Sequence, residues 1–475
     1  MSTFKKSLIL SFVQKYSELL IGFIASIILA RLLMPEEVGL YSIVATIIVV
    51  AHMIRDFGVS SYIVQEDDLD DQKLISAFLV TCFWSYSIAL ILYTNSTNIA
   101  VFFNRNEIVS ILNHVIINFL IIPFGSVSLS LLRKEMNFSA LLKVNLISAL
   151  FGAIVSVGMA FSGYSYMSLV WGSIATTAMT VLLSSFFRRE ISIVVPSLAS
   201  IKNVFIFGSK SSYIHILFVS VAQLPEILIG KFFGMANVGL YSRANGLVKL
   251  FHMGVMQGII PVLLPHLVNR MKEKGDVKAE YFKSIDFICT ISWPFFIFLA
   301  LMSEEIIETL YGVSWVSAAP LVIWLSLSAA VGSVYSINTH FFVAVKSIDL
   351  DVRNQSVSQI FSIIVMVVAS FYGLYPLLFS IVISKIFSLL VSVYYLCKAI
   401  NFQYSDILKN LRKAGVVSLT CFVFLYYVKS IAFLDSSNLF IQLSIIGALF
   451  SIVWIASLII VKSEIINFFK KNDNV

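Results

Sequence analysis

The stretch Val38-Gly39-Leu40-Tyr41-Ser42 occurs a second time as Val238-Gly239-Leu240-Tyr241-Ser242, displaced by 200 residues. The match continues without a gap, so that eight of the 21 positions from Val38 to Gly58 are identical in the second copy. At ordinary residue frequencies, roughly one or two identities would be expected by chance. A self-match at one displacement indicates a duplicated unit. The sequence therefore predicts a chain built from two related halves.

The composition of the chain is strongly apolar. Charged residues make up 12% of its 475 residues, against about 25% in a soluble domain, and the mean hydropathy is +0.93. Such a chain cannot cover its surface with polar groups, so we expect lipid to be its solvent. In a chain this apolar, two related halves favour a transporter. The four cysteines lie far apart in apolar runs, where small buried or lipid-facing residues are expected.

Apolar runs of about 20 residues predict fourteen membrane-spanning helices. With the N-terminus placed in the cytoplasm, 25 of the 33 Lys and Arg residues fall on the cytoplasmic side and five on the outer side. This bias follows the positive-inside rule and predicts that both termini are cytoplasmic. The predicted fold is thus an all-α integral membrane protein. The runs cover approximately residues 8–30, 38–59, 74–94, 107–131, 140–162, 165–187, 203–230, 239–267, 284–310, 317–344, 355–373, 376–397, 411–430 and 438–461.

The predicted topology sets the relative orientation of the two repeat copies in the membrane. Its copies lie on predicted spans 2 and 8, and an even number of spans separates them, so both copies enter the membrane from the same side. The halves are therefore expected to be parallel repeats related by an axis along the membrane normal. We predict a six-helix bundle in residues 1–195, its repeat in 196–400, and two extra helices with a cytoplasmic tail in 401–475. The basic excess then faces the anionic cytoplasmic leaflet, and no nucleic-acid partner is needed to explain it.

Motifs that indicate catalysis are absent from the sequence. It contains no GxSxG, HExxH, Walker-type glycine loop or GxGxxG. We therefore predict no enzyme activity, no cofactor and no metal site. The lack of a nucleotide-binding loop also argues against an ATP-driven pump, so that an ion gradient or the substrate's own gradient would drive transport.

Three lysines lie at membrane depth: Lys15 in span 1, Lys249 in span 8 and Lys385 in span 12. A lysine at the centre of a membrane helix costs about 2.5–3.5 kcal/mol on insertion scales, so such residues are expected to line a water-filled cavity. The alternative for each is a structural ion pair or a side chain that reaches the membrane surface. Lys385 has no carboxylate nearby in the sequence, which leaves its role the most open.

Two arginines extend the predicted cavity. Arg243 lies within two turns of Lys249 on the same helix face, where it could line the cavity or reach the membrane surface. Arg55 and Asp56 end span 2 at the cytoplasmic side, where a local ion pair is the alternative to a role in transport. We therefore add Arg243 and Arg55 to the substrate-cavity candidates, and Asp56 to the candidates for coupling to an ion.

Two glutamates are the other candidates for ion coupling. Glu18 follows Lys15 by three residues and shares its helix face, so the two could pair. Glu226 follows Pro225 in span 7, the first helix of the second half, where a proline frees a backbone carbonyl and permits a kink. His52 and His252 occupy the same repeat position, for which packing or a helix–helix hydrogen bond is favoured over a titratable pair.

The charge of this cavity predicts the type of its substrate. Fixed charges that are mainly Lys and Arg attract anions, and lysine binds phosphate as a point charge on a flexible stem. In a bilayer the matching anions are amphiphiles, such as a polyprenyl pyrophosphate that carries sugars. An exporter of cationic drugs would instead need carboxylates at the midplane, and those are few.

Four segments form a set whose order and spacing along the chain are distinctive: Ala30 to Tyr41 with its LLMPEEVGLY, Asp56 to Val59 followed by Gln65, Leu132 to Phe138, and Leu310-Tyr311-Gly312 through Trp315 to Pro320. Together they resemble the corresponding segments of the polysaccharide flippases of the multidrug/oligosaccharidyl-lipid/polysaccharide exporter superfamily. The resemblance covers nearly the whole chain and is strongest to the Wzx-type exporters of O-antigen and colanic acid and to their teichuronic-acid relatives.

The resemblance implies a flippase in the cytoplasmic (inner) membrane that moves undecaprenyl-pyrophosphate-linked oligosaccharide to the outer leaflet by alternating access. It also implies a cavity between the two bundles lined by spans 1, 2, 7 and 8, which carry Lys15, Glu18 and Lys249 but not Lys385. Membrane lipids and the polysaccharide polymerase or chain-length machinery are the further partners expected. A MATE-like cation-coupled drug antiporter of the same superfamily stays the main alternative. A membrane polymerase or ligase is disfavoured, because no long outer loop exists.

Overall fold

The computed structural model describes residues 3–56, 58–187, 204–205, 219–259, 276–400, 403–430 and 439–461. These ranges are helical, with short connections and no β-strand in any of them. The first nine helices are α1 (Thr3–Leu32), α2 (Pro35–Asp56), α3 (Val59–Gln65), α4 (Asp71–Phe103), α5 (Glu107–Ile121), α6 (Pro123–Lys134), α7 (Phe138–Phe161), α8 (Met167–Phe187) and α9 (219–233).

The chain continues from α9 almost without interruption into a long helical segment that changes type along its length. The remaining helices are α10 (Met235–Phe251), a π-helix (His252–Met256), α11 (Val277–Leu301), α12 (Ser303–Tyr311), a 3-10 helix (Val313–Ala318), α13 (Ala319–Ser333), α14 (Asn338–Ala344), α15 (Ile348–Ser370), α16 (Leu374–Ile400), α17 (Tyr404–Asn410), α18 (Arg412–Ser430) and α19 (Leu439–Val461).

The helices confirm a multi-pass, all-α membrane protein. Within the described ranges, ten helices are long and apolar enough to cross a membrane, and the number rises to twelve if each of two bent helix pairs is one span. Predicted spans 7 and 8 extend into residues 206–218 and 260–267, which lie outside the described residues. The count of fourteen spans and the cytoplasmic position of the termini therefore stay predictions.

Predicted spans 107–131 and 284–310 each contain a break between two helices. The predicted helix 107–131 consists of α5 and α6, which are bent by 50° at Pro123. Proline lacks an N–H group and its ring clashes with the preceding turn, whereas the first turn of a new helix accepts it. The predicted helix 284–310 likewise ends at Leu301, and α12 begins at Ser303. The apolar runs in the sequence predicted where these segments lie but not the breaks within them.

An acidic run from Glu66 to Asp71 leads into the first turn of α4, where carboxylates are favourable. Asp70 caps this helix, because its carboxylate accepts a hydrogen bond from the backbone N–H of Lys73 at 2.7 Å. The Lys73 ammonium in turn lies 2.6 Å from a carboxylate oxygen of Glu66. With 33 residues and about 1.5 Å of rise per residue, α4 is longer than the membrane core of about 30 Å, so it extends beyond the membrane.

The first compact unit comprises Met1–Gly239. Within it, α7 packs along α8, α1 along α7, and α4 along α5. A hydrophobic core forms where α3 packs on α4 and α6, and its buried residues include Tyr62, Ile63, Leu74, Val127 and Leu131. This core fixes the end of α2 and the short α3 against the long helix α4.

The second compact unit comprises Leu240–Val475, so the division falls inside α10. A buried polar chain joins four of its helices. The Tyr281 hydroxyl donates to Asn338 at 2.8 Å, and the amides of Asn338 and Asn354 donate to the Ser392 hydroxyl at 3.1 and 3.0 Å. Because buried polar groups are stable only when hydrogen-bonded, this chain fixes the register of α11, α14, α15 and α16.

The two C-terminal helices pack within the second unit. Trp454 on α19 donates its indole N–H to the carbonyl oxygen of Thr290 at 3.2 Å, and Lys429 on α18 donates to that of Leu301 at 2.9 Å. Both acceptors lie on α11. The predicted domain boundaries at 195/196 and 400/401 follow the sequence repeat rather than these contacts, and they stay predictions.

Candidate functional site

Helix α1 exposes two faces of different chemistry. One face carries a continuous apolar stripe at helical spacing, made of Ile9, Val13, Tyr16, Leu20 and Ile24. The other face exposes Lys15 and Gly22, with the half-buried Glu18 between them. Side chains three, four and seven residues apart share one helix face. Helix α1 therefore meets an apolar environment on one side and a polar one on the other.

Glu18 is held by Gln14 rather than by Lys15. The Gln14 amide donates to a Glu18 carboxylate oxygen at 3.0 Å, across one helical turn. The pairing of Lys15 with Glu18 that the sequence suggested does not form, and Lys15 stays exposed. The polar face of α1 therefore presents a positive charge beside a carboxylate that is already hydrogen-bonded.

Arg55 and Asp56 form the local ion pair considered in the sequence. A guanidinium nitrogen of Arg55 lies 2.5 Å from a carboxylate oxygen of Asp56. Arg55 is only 8% exposed, and its Nε and Nη1 have no hydrogen-bond partner in the described part of the chain. A guanidinium has five N–H donors, so this buried cation retains donors for a further acceptor.

His52, one turn before Arg55 on α2, packs as the sequence analysis favoured. Its ring stacks on that of Phe119, with a centroid distance of 4.7 Å. Its repeat equivalent, His252, begins the π-helix that follows α10. The two copies of this position thus share a residue but differ in backbone. π-helical turns are frequent at functional sites, and the sequence analysis did not identify this one.

Glu226 on α9 meets α2 within the first unit. The Thr46 hydroxyl of α2 donates a hydrogen bond to the Glu226 carboxylate. One turn further along α9, Gly230 lies against Ile43, since a Cβ added to Gly230 would be 2.4 Å from its side chain. The carboxylate is therefore part of a helix–helix contact that the sequence could not reveal, because its two partners are 180 residues apart.

The two copies of the repeated motif meet each other at this same contact. A Cβ added to Gly39 would lie 1.8 Å from the carbonyl oxygen of Met235, and a Cβ added to Gly239 would lie 1.9 Å from that of Pro35. Met235 and Pro35 are themselves repeat equivalents, 200 residues apart. Only glycine permits so close a backbone approach here, which gives the duplicated glycine a physical reason.

In the second unit, α10 carries two basic residues on one exposed face. Arg243 is partly exposed and Lys249 is exposed, with the exposed Gly246 between them. The Arg243 guanidinium lies 5.6 Å from the ring centroid of Trp315 and 5.8 Å from that of Tyr311. These distances allow cation–π attraction, so the aromatic residues hold Arg243 while Lys249 projects free of ion pairs among the described residues.

Lys385 has a different surrounding from the other two lysines. It is exposed on α16 and borders an exposed apolar stripe at helical spacing, made of Tyr375, Phe379, Ile386, Leu390 and Tyr394. It forms no ion pair in the described part of the second unit. A lysine beside a lipid-facing stripe can extend its ammonium to the membrane surface, so we rank it lowest among the cavity candidates.

No group of three or more His, Cys, Asp or Glu side chains that could hold a metal ion occurs among the described residues. The four cysteines are free thiols, with Cys289 and Cys421 buried in helix contacts and Cys82 and Cys397 partly exposed.

Comparison with protein families identifies the chain. The model of the family described as "Polysaccharide biosynthesis protein" matches residues 28–320. The chain belongs to this family. The family expected from the sequence is thereby confirmed, as is a multi-pass protein of polysaccharide biosynthesis and transport in the inner membrane.

Curated relatives of this family member have low identity but long matches. The uncharacterized membrane protein in the cps region of Klebsiella pneumoniae is 22% identical over 386 residues, which is 80% of each chain. The succinoglycan biosynthesis transport protein ExoT of Rhizobium meliloti is 26% identical over 65% of this chain and 63% of its own. The lipopolysaccharide biosynthesis protein WzxC of Escherichia coli is 22% identical over 67% and 64%, respectively.

Solved structures establish the fold of this family member. The inward closed conformation of the lipid II flippase MurJ matches 96% of this chain and 99% of its own, with a TM-score of 0.77 and 14% identity. An inward-facing multidrug resistance MATE transporter matches 82% of this chain and 96% of its own, with a TM-score of 0.63 and 16% identity. At such identities the likeness concerns the fold alone.

Proposed function

We propose that the chain is a flippase that carries undecaprenyl-pyrophosphate-linked oligosaccharide units from the cytoplasmic to the outer leaflet by alternating access. The observation that carries this proposal is the exposure of Lys15 on the polar face of α1 and of Lys249 on the basic face of α10. Lys15 lies inside the long helix α1, and Lys249 lies in the last turn of α10, just before the π-helix. The proposal includes fourteen spans, cytoplasmic termini and two parallel six-helix repeats.

The free-energy cost of placing a lysine in lipid supports a water-filled transport pathway. If Lys15 faced lipid, its insertion would cost about 2.5–3.5 kcal/mol. Helix α1 already has a separate apolar face for lipid, made of the stripe from Ile9 to Ile24. The opposite face, with Lys15, Glu18 and Gly22, is therefore best explained as bordering water. We propose that this face lines the pathway.

The charge of these faces supports an anionic substrate. Lys15, Lys249 and Arg243 supply positive charge, and buried Arg55 retains unused donors. Guanidinium and ammonium groups both bind phosphate oxygens through charge-assisted hydrogen bonds. A pyrophosphate that links a polyprenyl chain to sugars offers such oxygens at membrane depth. The sugars themselves would occupy the wet part of the pathway.

The relatives support the class of substrate. Three curated relatives are named for the biosynthesis or transport of teichuronic acid, lipopolysaccharide and succinoglycan, and the structural neighbour MurJ is named as a lipid II flippase. We extend the substrate class, a lipid-linked saccharide, to this chain. Membrane lipids and the polysaccharide polymerase or chain-length machinery are the proposed partners.

Ion coupling is proposed for Glu18, Glu226 and Asp56, and the same residues would serve the alternative of a cation-coupled drug antiporter. Each of these carboxylates has a hydrogen-bond partner within the protein: Gln14, Thr46 and Arg55, respectively. The exposed charges on the described parts of α1 and α10 are cationic, namely Lys15, Arg31 and Lys249. An exporter of cationic drugs would need the reverse arrangement, so we favour the flippase.

Deletion of the gene in its native host tests the proposal. We expect surface polysaccharide to be lost and lipid-linked repeat units to accumulate in the cytoplasmic leaflet. The wild-type gene should restore export, Lys15→Ala/Lys249→Ala should not, and Lys385→Ala should restore it at an equal protein level. Normal surface polysaccharide in the deletion strain, together with increased drug sensitivity, would instead establish the antiporter.

A further inference from the structure

The contact between α2 and residues 219–239 covers one face of α2 along half of its length. The covered residues Pro35, Gly39, Ile43 and Thr46 follow helical spacing, and their partners run from Gly239 back to Glu226. One turn beyond Thr46, Val49 is 37% exposed. This face is thus covered from Pro35 to Thr46, whereas Val49 is exposed.

The closed part has the length of half a membrane. From Pro35 to Thr46 the helix rises roughly 16 Å at 1.5 Å per residue, whereas the membrane core is about 30 Å thick. In the predicted topology α2 begins at the outer side. The contact therefore occupies the outer half of the membrane, and the exposed Val49 and the buried Arg55 follow toward the cytoplasmic side.

Two features distinguish this contact from ordinary helix packing. Repeat-equivalent residues form it reciprocally, Gly39 against Met235 and Gly239 against Pro35, so a single small-residue crossing joins the beginnings of both copies. A hydrogen bond from the Thr46 hydroxyl to the Glu226 carboxylate lies at the other end of this contact, farthest from the start of α2. A crossing of small residues can separate and reform without repacking large side chains.

We propose that the reciprocal crossing of Gly39 and Gly239 closes the outer end of the transport pathway, and that the Thr46–Glu226 hydrogen bond locks it. The inference rests on the proposed function for the existence of a pathway. Opening to the outside then requires the glycine crossing to separate and the Thr46–Glu226 bond to break.

Labelling of a reporter cysteine tests the closure without any transport measurement. Ser42, 7% exposed, lies on α2 one turn past Gly39, so Ser42→Cys provides a nearly isosteric reporter beneath the crossing. The four native cysteines are replaced by alanine in the full chain. Right-side-out membrane vesicles are then treated with a membrane-impermeant maleimide, and the rate of labelling from the outside is measured.

Variants of the crossing should label faster than the reporter parent. A methyl group at position 39 or 239 overlaps a backbone carbonyl, so Gly39→Ala and Gly239→Ala should each raise the rate about tenfold, which corresponds to a shift of about 1.4 kcal/mol. The matched control is Gly158→Ala on α7, where an added Cβ meets nothing within 4 Å. This control should label at the parental rate.

Variants of the lock keep the proposal testable if the glycine variants fail to accumulate. Thr46→Val removes the donor without adding volume and should raise the labelling rate about three- to tenfold, the range of one hydrogen bond. Thr46→Ser keeps the donor and should label at the parental rate. Equal labelling of Thr46→Val, Gly39→Ala and the parent would overturn the closure. The expected labelling changes, together with normal surface polysaccharide in the deletion strain, would leave the closure standing and refute the flippase.

Discussion

Gly39 and Gly239 are repeat-equivalent residues whose backbones pack against each other's helix start, since an added Cβ on either would lie within 2 Å of a carbonyl oxygen of the other segment, at 1.8 and 1.9 Å. Reciprocal contact of equivalent residues is the arrangement that a two-fold axis produces. The occurrence of glycine at both positions, 200 residues apart, therefore has a structural reason. The glycine was retained twice because each copy needs it to approach the other.

This relationship predicts that the two glycines are energetically coupled. Gly39→Ala and Gly239→Ala should each lower the free energy of unfolding by about 1–3 kcal/mol, as overpacking does. Once one methyl group has separated the segments, the second has less contact to disrupt. The double variant should therefore cost less than the two single variants together, which a double-mutant cycle measures.

Thermal unfolding of the purified proteins in one detergent provides the measurement. Gly158→Ala serves as the control, because it adds the same methyl group to a helix without meeting a neighbour. Strictly additive effects of the two substitutions would show that the glycines act independently, contrary to the reciprocal contact.

The sequence predicted the helical class, the family and most spans, because long apolar runs and the repeat are local signals. The break at Pro123 also carried a local signal, since proline interrupts helices, yet its effect on the run 107–131 was not anticipated. The π-helix at His252 was harder to predict from the sequence, although Gly254 in the second copy replaces Ile54 of the first. Helix type there depends on packing that one sequence does not display.

The partners of the charged residues were the least predictable part of the site. Local pairs such as Arg55–Asp56 were anticipated because adjacent residues are necessarily close. Thr46 and Glu226, in contrast, are brought together only by folding. The aromatic residues that hold Arg243 are likewise more than 60 residues away in the sequence. Rules based on residue spacing apply to pairs on one helix. They do not predict contacts between different helices.

A second prediction uses the difference between the repeat copies at position 49. Val49 and Lys249 are equivalent, and both are exposed on their helices. Lys249→Val should reduce export of polysaccharide about tenfold or more, since a charge-assisted hydrogen bond contributes about 1.5–3 kcal/mol. Because position 49 is already exposed, a lysine there needs no burial, and Val49→Lys/Lys249→Val should recover part of the lost export.

Complementation of the deletion strain, with surface polysaccharide normalised to protein level, measures this effect. Val49→Ala is the control for the change at position 49 and should export at the wild-type rate. If Lys249→Val exports normally, the charge on α10 has no part in transport.

Lys385 gives a third prediction, in which little should change. It borders the apolar stripe of α16, where a lysine can reach the membrane surface with its ammonium. Lys385→Ala and Lys385→Leu should therefore retain export within about twofold of the wild type, because removing an exposed charge from lipid contact lowers the insertion cost. The same complementation assay applies. A loss comparable to that of Lys249→Val would return Lys385 to the substrate site.

The fourth prediction concerns the aromatic residues that hold Arg243. Trp315 is fully buried, and its ring lies 5.6 Å from the Arg243 guanidinium. Trp315→Phe keeps an aromatic face, whereas Trp315→Leu removes it while retaining an apolar side chain. Both substitutions leave a cavity, but only Trp315→Leu also loses the cation–π attraction, which contributes about 0.5–2 kcal/mol.

The comparison is made in two backgrounds to separate packing from attraction. With Arg243 present, the unfolding midpoint of Trp315→Leu should lie below that of Trp315→Phe. With Arg243→Met, which removes the cation and retains a long side chain, the difference between the two Trp315 variants should shrink by the cation–π contribution. An unchanged difference in the Arg243→Met background would show that Trp315 acts on Arg243 only through packing. The packing of Trp315 against Arg243, both in the second unit, would then be sufficient to position the basic face of α10.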